Sequence, residues 1–131
     1  MRKIAIGDIH GCNLTFEALL DKLALTTQDQ LFLLGDYIDR GPDSKGVIDI
    51  ILKLQEDGYQ VNCLRGNHEQ LLLDSNFRTE SARIWLSNGG ISTMDSFDIE
   101  HISFLPDRYF NFFKNLPHYF IEDDFILVHA G

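Results

Sequence analysis

The chain repeats one pattern three times before Asn76: a short apolar run, a polar turn and a helical pattern. Each apolar run has the length of a strand, and each helical pattern places apolar residues three or four positions apart. The expected strands are Lys3–Ile6, Leu31–Leu34 and Gln60–Leu64. The expected helices run from about Asn13 to Leu23, from a cap at Asp43 or Ser44 to a stop at Gly58, and through Leu73.

Three such units predict an α/β fold with a parallel sheet. Asp8, Asp36 and Asn67 follow the three strands at intervals of 28 and 31 positions, about the length of one strand–helix–strand unit. Right-handed crossovers of that size lay the strands parallel in one sheet. The polar turns therefore meet at the carboxyl edge of the sheet, where open α/β sheets bind their ligands.

Beyond Asn76 the alternation weakens and aromatic residues become frequent. The expected elements are a helix over Thr79–Ser87 that stops at Asn88-Gly89-Gly90, a helix that starts near Pro106 and ends at Leu116-Pro117, and strands at Tyr119–Glu122 and Phe125–Val128. The last strand delivers His129 to the same kind of position that the earlier strands give their polar turns.

Composition and charge narrow the class of protein. Hydrophobic residues make up 44% of the 131 positions and charged residues 24%, which is typical of a globular domain. The 20 acidic residues outnumber the 11 basic ones, and the net charge of −9 disfavours a nucleic-acid partner. No apolar run approaches the roughly 18 residues of a membrane span. We therefore expect a cytoplasmic domain without a membrane partner, in which Cys12 and Cys63 are small buried residues.

Five side chains at the expected sheet edge have the chemistry of metal ligands: Asp8, His10, Asp36, Asn67 and His129. Carboxylate, imidazole and amide oxygen together suit Mn²⁺, Fe or Zn²⁺ better than an all-oxygen Mg²⁺ or Ca²⁺ site. Five ligands are too many for one tetrahedral zinc with an open position. They fit two divalent ions that share a carboxylate, and we expect two such ions, with Mn²⁺ preferred and Fe or Zn²⁺ as alternatives.

The neighbouring polar residues suit phosphoryl transfer. Two divalent ions would lower the pKa of a bridging water and hold hydroxide in line with a phosphorus atom. His68 would then protonate the leaving alkoxide, and Asp39 would fix the tautomer and orientation of its ring. Arg40 offers a planar fork to phosphate oxygens. Arg65 is a second candidate for contact with phosphate, and an ion pair with a neighbouring acid is its alternative role.

These turns resemble the signature blocks of the phosphoprotein phosphatases, the metal-dependent serine/threonine phosphatase branch of the calcineurin-like metallophosphoesterases. In the family's order and spacing, the blocks are Gly7-Asp8-x-His10-Gly11, Gly35-Asp36-Tyr37-x-Asp39-Arg40-Gly41 and Arg65-Gly66-Asn67-His68-Glu69. Trp85-Leu86-x-Asn88-Gly89-Gly90 is similar to a stretch of bacterial and phage members, and His129-Ala130-Gly131 to their fourth block. The resemblance covers essentially the whole chain.

The resemblance implies a role for each matching residue. The implied ligands are Asp8, His10 and Asp36 for a first metal, and Asp36, Asn67 and His129 for a second. His68 would be the general acid, paired with Asp39, and Arg40 would bind the phosphate. The implied fold is a pair of mixed β-sheets with helices outside. The implied reaction is hydrolysis of phosphoserine or phosphothreonine by direct attack of metal-bound water.

Family members also carry a later Gly-His-Thr-like turn, whose histidine completes the second metal site, and a later substrate arginine. Neither lies within residues 1–131. We therefore expect these residues to be the amino-terminal part of one metallophosphoesterase domain, incomplete at its carboxyl end. Such a chain would bind the second metal weakly and turn over slowly.

Two other functions remain open at this point. Dinucleoside polyphosphate hydrolases of the same superfamily usually lack the acid equivalent to Asp39 and carry Asp in place of Glu69. Both residues therefore favour a phosphomonoester on a protein. The other alternative is a truncated, non-catalytic chain that binds metal or a partner, in which the aromatic segment Phe104–Phe125 would drive self-association.

Overall fold

The computed structural model of the protein describes residues 1–130, so the last residue of the expected fourth block, Gly131, lies outside the described residues. Strands and helices alternate through the first half, and helices dominate the second. The strands are β1 (Lys3–Ile6), β2 (Gln30–Leu33), β3 (Gln60–Cys63), β4 (Tyr119–Ile121) and β5 (Ile126–Val128). The helices are α1 (Asn13–Leu23), α2 (Ser44–Glu56), α3 (Asn67–Ser75), α4 (Thr79–Trp85), α5 (Ile91–Phe97) and α6 (Asp107–Lys114).

The first three strands form a parallel sheet in the order β1-β2-β3, as the spacing of the units predicts. β2 lies in the centre, with Leu31 in register between Ile4 of β1 and Val61 of β3. Leu31 and Leu33 on one face and Phe32 on the other are all buried, as expected for a central parallel strand that is covered on both faces. The expected α/β fold class is confirmed.

Helix α2 shows how the sequence positions the helices against this sheet. Val47, Ile48 and Ile51 are fully buried on one face of the helix, which is the spacing of an amphipathic helix. Its first turn is capped by Asp43, whose carboxylate accepts a 2.8 Å hydrogen bond from the Gly46 amide. The cap fixes the start of α2 directly after the second polar turn.

The chain leaves the helical conformation at Asn88-Gly89, where the sequence predicts that the helix over Thr79–Ser87 stops. Asn88 and Gly89 have non-helical backbones, with φ −102° and +107°, and form a kink between two helices. Glycine adopts a positive φ at little cost, and a Cβ at Gly89 would lie 2.6 Å from Cγ of Arg40. The helix that begins directly after the kink, α5, is an element that the sequence pattern does not predict.

Strands β4 and β5 form a separate antiparallel hairpin. One face packs on the parallel sheet, where the rings of Phe120 and Phe125 contact Phe32 edge to face at 6.0 and 6.4 Å between centroids. The opposite face is apolar and exposed to solvent, and it consists of Tyr119, Ile121, Ile126 and Val128. No helix among residues 1–130 is long and apolar enough to cross a membrane.

The two cysteines have different environments. Cys63, at the end of β3, is buried as expected, and burial raises the pKa of its thiol to about 12. Cys12 is exposed, so the expectation that both cysteines are buried is wrong for this residue. It precedes α1 on the outer side of the first turn, where its sulfur points to the carbonyl of His10 at 3.6 Å.

Candidate functional site

The polar turns after β1 and β2 are joined by backbone hydrogen bonds at the carboxyl edge of the sheet. The amides of Ile9 and His10 both donate to the carbonyl of Asp36, at 3.0 and 2.9 Å, and Gly11 donates to Tyr37 at 2.8 Å. His10 and Asp36 have left-handed backbones, with φ +44° and +57°. Positive φ is uncommon outside glycine and concentrates at functional sites, where the surrounding structure holds it.

Asp36 lies at the centre of a group of carboxylates and imidazoles. Its Oδ2 atom is 3.7 Å from Nε2 of His10 and 3.3 Å from Nε2 of His129. Asp8 completes the group, with Oδ2 at 3.8 Å from Nε2 of His10 and Oδ1 at 4.0 Å from Nδ1 of His129. Asp8, Asp36 and His129 offer ligand atoms that all lie within 4.8 Å of one another, the geometry of a possible metal site.

Both histidines are oriented through the ring nitrogen that faces away from this group. Nδ1 of His10 is 2.8 Å from the carbonyl of Ile38, and Nδ1 of His129 is 2.7 Å from the carbonyl of Leu34. Since a carbonyl only accepts, each Nδ1 carries a proton and donates it. Nε2 of each ring is then the nitrogen that faces Asp36. Metal-binding histidines are commonly held in this way.

Asn67, the first residue of α3, presents its amide oxygen to the same group. Its Oδ1 atom is 2.9 Å from Nε2 of His129, although the residue as a whole is exposed. Nε2 of His129 therefore faces two oxygen atoms, Oδ1 of Asn67 and Oδ2 of Asp36. A shared cation satisfies all three atoms at once, so the donor set fits a divalent metal.

His68 and Asp39 form a buried pair beside this group. Nδ1 of His68 is 2.7 Å from Oδ2 of Asp39, and the two residues are only 3% and 0% exposed. The His68 amide also donates to Oδ1 of Asp36 at 3.0 Å, which ties the start of α3 to the second turn. Burial raises the pKa of Asp39, while hydrogen bonds from Thr93, His68 and Trp85 act in the opposite direction.

Two of those partners come from the helices that the glycine turn joins. Trp85 donates from Nε1 to both carboxylate oxygens of Asp39, at 2.9 and 3.1 Å, and Thr93 donates to Oδ1 at 2.6 Å. Neither residue is among the site residues predicted from the sequence. Trp85 stands in one of the quoted motifs and Ser44 was a candidate helix cap, whereas Thr93 carries no sequence signal, because only the fold brings it to Asp39.

Glu69 is fully buried and links the second and third turns. Its Oε1 atom accepts from the amides of Asp36 and Gly66 at 2.7 and 2.9 Å, and Oε2 accepts from Tyr37 at 2.9 Å. Burial raises the pKa of this carboxyl to about 8, although the three amides favour its ionised form. Glu69 therefore holds the backbone that carries Asp36 and Asn67.

The two candidate phosphate-binding arginines lie in different surroundings. Arg40 is exposed beside the buried pair, with φ +74° and its amide 3.2 Å from the carbonyl of Gly89. Arg65 is held at Nη1 by Gln70 (2.9 Å) and at Nη2 by the carbonyl of Lys114 (2.7 Å), and it forms no ion pair with an acid among residues 1–130. It lines an open cleft of about 540 Å³ next to Asn67 and His129.

Comparison with known proteins places this arrangement in a family. Residues 1–131 match the sequence model of the calcineurin-like phosphoesterases, and the chain belongs to that family. It is 43% identical over 89 residues to serine/threonine-protein phosphatase 1 of Salmonella typhimurium, and this aligned region covers 65% of this chain and 37% of the relative. It is also 31% identical over 134 residues to the symmetrical bis(5'-nucleosyl)-tetraphosphatase of Nitrosomonas europaea, covering 100% of this chain and 45% of the relative.

Solved structures support the fold. A protein serine/threonine phosphatase from Saccharomyces cerevisiae superimposes with a TM-score of 0.67 at 19% identity, over 100% of this chain and 41% of that one. At that identity the likeness bears on the fold alone. The chain spans less than half the length of these three proteins.

Proposed function

We propose that this protein hydrolyses phosphomonoesters, in particular phosphoserine and phosphothreonine in proteins, with the help of two divalent metal ions. One observation carries the proposal: the buried His68–Asp39 pair, 2.7 Å apart, lies directly beside a carboxylate and imidazole group centred on Asp36. A proton donor and a cation site in one place are what hydrolysis of a phosphoester requires.

The residues that would hold the ions are Asp8, His10 and Asp36 for the first, and Asp36, Asn67 and His129 for the second. Within the two sets, distances of 3.3 to 3.8 Å between carboxylate oxygens and imidazole Nε2 atoms support this assignment. The mixed donor set favours Mn²⁺, with Fe and Zn²⁺ as alternatives. When bound, the two ions would supply positive charge and an activated water molecule.

The chain's own residues would perform the remaining steps. His68 would donate a proton to the leaving oxygen of the serine or threonine side chain, while Asp39 holds the proton on Nδ1 and stabilises the charged ring. Arg40, exposed beside the pair, would bind phosphate oxygens through its planar fork. Arg65 is a weaker candidate for this role, since Gln70 and the carbonyl of Lys114 already engage its guanidinium.

The tetraphosphatase relative makes hydrolysis of a dinucleoside polyphosphate the second candidate function. Two residues favour a phosphoprotein substrate over a dinucleoside polyphosphate. Asp39 pairs with His68, and a protonated histidine assists a poor leaving group such as an alkoxide. Glu69 reaches three amides in two turns, which a side chain one methylene shorter would not span in the same way.

The test is hydrolysis by the purified chain of p-nitrophenyl phosphate, a phosphoserine peptide and diadenosine tetraphosphate, with and without Mn²⁺. We expect slow hydrolysis of the first two that stops with a chelator. The matched controls are His68→Ala, which should lose activity, and His101→Ala, whose exposed ring forms a hydrogen bond with Ser103. Preferred hydrolysis of the tetraphosphate would favour the second candidate. Metal binding without any turnover would favour a non-catalytic metal-binding chain.

Three further points belong to the same proposal: residues 1–131 form one metallophosphoesterase domain, the protein acts in the cytoplasm, and it self-associates through Phe104–Phe125. Phe104 is 69% exposed and Phe125 is 38% exposed, which supports an apolar contact between two copies. Light scattering over a range of concentrations tests it, and a mass that stays monomeric throughout would contradict self-association.

A further inference from the structure

We propose that Trp85 and Thr93 are positioning residues for the proposed hydrolysis: their N–H and O–H groups hold the Asp39 carboxylate, and through it the ring of His68, in the orientation that proton transfer needs. The inference rests on the proposed function, but it concerns two residues outside the turns that carry the candidate ligands. Neither residue would contact the substrate.

The Asp39 carboxylate is surrounded by hydrogen-bond donors from three helices. His68 of α3 lies 2.7 Å from Oδ2, Trp85 of α4 spans both oxygens, and Thr93 of α5 lies 2.6 Å from Oδ1. The indole N–H cannot accept a hydrogen bond, so Asp39 must accept from it. A fully buried carboxylate with three donors is held in one fixed orientation.

The role of the Thr93 hydroxyl follows from counting its single proton. Its oxygen lies 3.0 Å from Oγ of Ser44 and 2.9 Å from the Asp39 amide, which can only donate. The Thr93 proton therefore goes to Oδ1 of Asp39, at 2.6 Å, and Ser44 donates to Thr93. This chain from Ser44 through Thr93 to the carboxylate is buried throughout, and such chains strengthen each bond.

The arrangement determines which nitrogen of His68 can act. Because Asp39 is an acceptor fixed by the other two donors, Nδ1 of His68 must carry a proton and donate it. Nε2 is then the nitrogen that can give a proton to a leaving group. A small rotation of the carboxylate would turn the imidazole away, and loss of alignment by about 1 Å can reduce a rate by about 10²-fold.

The same two helices support the strained backbone of the second turn. Asp39 and Arg40 are consecutive residues with φ +76° and +74°, a conformation that non-glycine residues adopt only when neighbouring groups hold it. The Asp39 amide donates to the hydroxyl oxygens of Thr93 and Ser44, and the Arg40 amide donates to the carbonyl of Gly89. The α4–α5 segment therefore fixes the His68–Asp39 pair and the candidate phosphate-binding arginine together.

The first test compares leaving groups in Thr93→Val, Thr93→Ser and Trp85→Phe. A general acid matters more for a poor leaving group than for a good one. We expect Thr93→Val and Trp85→Phe to lower kcat about ten-fold on a phosphoserine peptide and about two-fold or less on p-nitrophenyl phosphate. Thr93→Ser, which keeps the hydroxyl, should restore the peptide rate. Equal losses on both substrates in folded variants would overturn the proposal.

The second test does not need turnover. In the ¹H–¹⁵N spectrum of histidine-labelled protein, the Nδ1–H proton of His68 should appear as a slowly exchanging, downfield signal. When one donor to the Asp39 carboxylate is removed, the remaining hydrogen bond from His68 should become stronger. Its proton signal should therefore move further downfield in Thr93→Val and Trp85→Phe. Thr93→Ser and the exposed control Thr15→Val should leave it in place. An unchanged signal in folded Thr93→Val would overturn the proposal.

The two tests separate this inference from the proposed function. If the parent chain hydrolyses neither substrate, the phosphatase proposal fails. The Nδ1–H signal of His68 then decides alone whether Trp85 and Thr93 position the His68–Asp39 pair. If Trp85→Phe does not fold because the indole is buried, the Thr93 pair of variants still decides the outcome, since they differ by one methyl group or one hydroxyl.

Discussion

The inner and outer sides of the candidate site are built differently. On the inner side, Asp39 and His68 are 0% and 3% exposed, and donors from three helices satisfy the carboxylate. On the outer side, Asn67 is exposed and His129 half-buried, and their facing atoms are an amide oxygen and an imidazole nitrogen. The inner pair is oriented by the protein alone, whereas the outer pair has the donor atoms of a cation site.

If the proposed function is right, this difference separates a part of the site that depends on the fold from a part that depends on metal. The inner side would then act as a preorganised proton donor, so changes there should affect the rate with little effect on metal affinity. On the outer side, Asn67 begins α3 and His129 follows a short hairpin whose other face is exposed, so changes there should affect metal affinity first. The following predictions test this division.

The largest expected effect is that of His68→Ala on the rate. Removal of a general acid typically costs 10²–10⁴-fold, and we expect about that loss in kcat on a phosphoserine peptide. Mn²⁺ affinity, measured by isothermal titration, should remain close to that of the parent. A variant that loses both together would show that the inner side is not independent of the metal site.

His129→Ala should give the opposite pattern. Loss of one ligand or its partner typically weakens metal binding by about 10–100-fold, so we expect at least that drop in Mn²⁺ affinity. The lost rate should return in part when Mn²⁺ is raised to match. A rate that stays low at saturating Mn²⁺ would place His129 in the chemistry as well as in the metal site.

Glu69→Gln tests the connection between the turns through the stability of the fold. Its new amide group would face backbone N–H donors, and an unsatisfied buried donor costs about 1–3 kcal/mol. The variant should unfold at lower urea concentration than the parent. Parent-like stability would contradict the role of Glu69 as the link between these turns.

The raised pKa of Glu69 also predicts a pH dependence. The folded chain retains this proton up to pH of about 8, whereas the unfolded chain releases it near 4.5. The contribution of Glu69 to stability therefore falls as pH rises between these values and is constant above the folded pKa. Glu69→Gln should remove that slope from urea unfolding measured at several pH values, and an identical slope in both proteins would contradict it.

Much of the first half of the molecule was predictable from the sequence. The bounds of β1 and α1, the parallel pairing and the meeting of the three turns follow from short-range periodicity and the length of the units. The second half was less so. Gly89 ends the preceding helix as the sequence predicts, but no local pattern indicates that another helix, α5, begins directly after it.

The candidate site divides in the same way. The polar residues in the turns could be listed from sequence because their chemistry and spacing are local, and the structure brings Asp8, His10, Asp36, Asn67 and His129 together. Thr93 could not, because a threonine on a helix carries no signal until tertiary packing brings it 2.6 Å from Asp39. The metal and phosphate roles of the listed residues remain predictions.

The smallest expected effect lies far from both sides of the site. The Arg2 guanidinium beside Asp29 holds the pKa of that carboxyl well below its usual range. The stabilisation is present above the unfolded value near 3.8 and is lost as pH falls toward the folded value. Asp29→Asn should lose a small part of its stability at neutral pH and almost none in acid, without a change in Mn²⁺ affinity or rate.

The most direct test of the account is Mn²⁺ binding to the parent chain and to Asp36→Asn, measured by isothermal titration. Asparagine keeps the size of the side chain and an oxygen for the His68 amide, but removes the charge shared by the two histidines. Asp21→Asn, on the exposed side of α1, is the control for the same change in charge. We expect the parent and the control to bind Mn²⁺, and we expect Asp36→Asn to bind it at least about ten-fold more weakly. Equal Mn²⁺ affinity in all three proteins would contradict a metal site centred on Asp36.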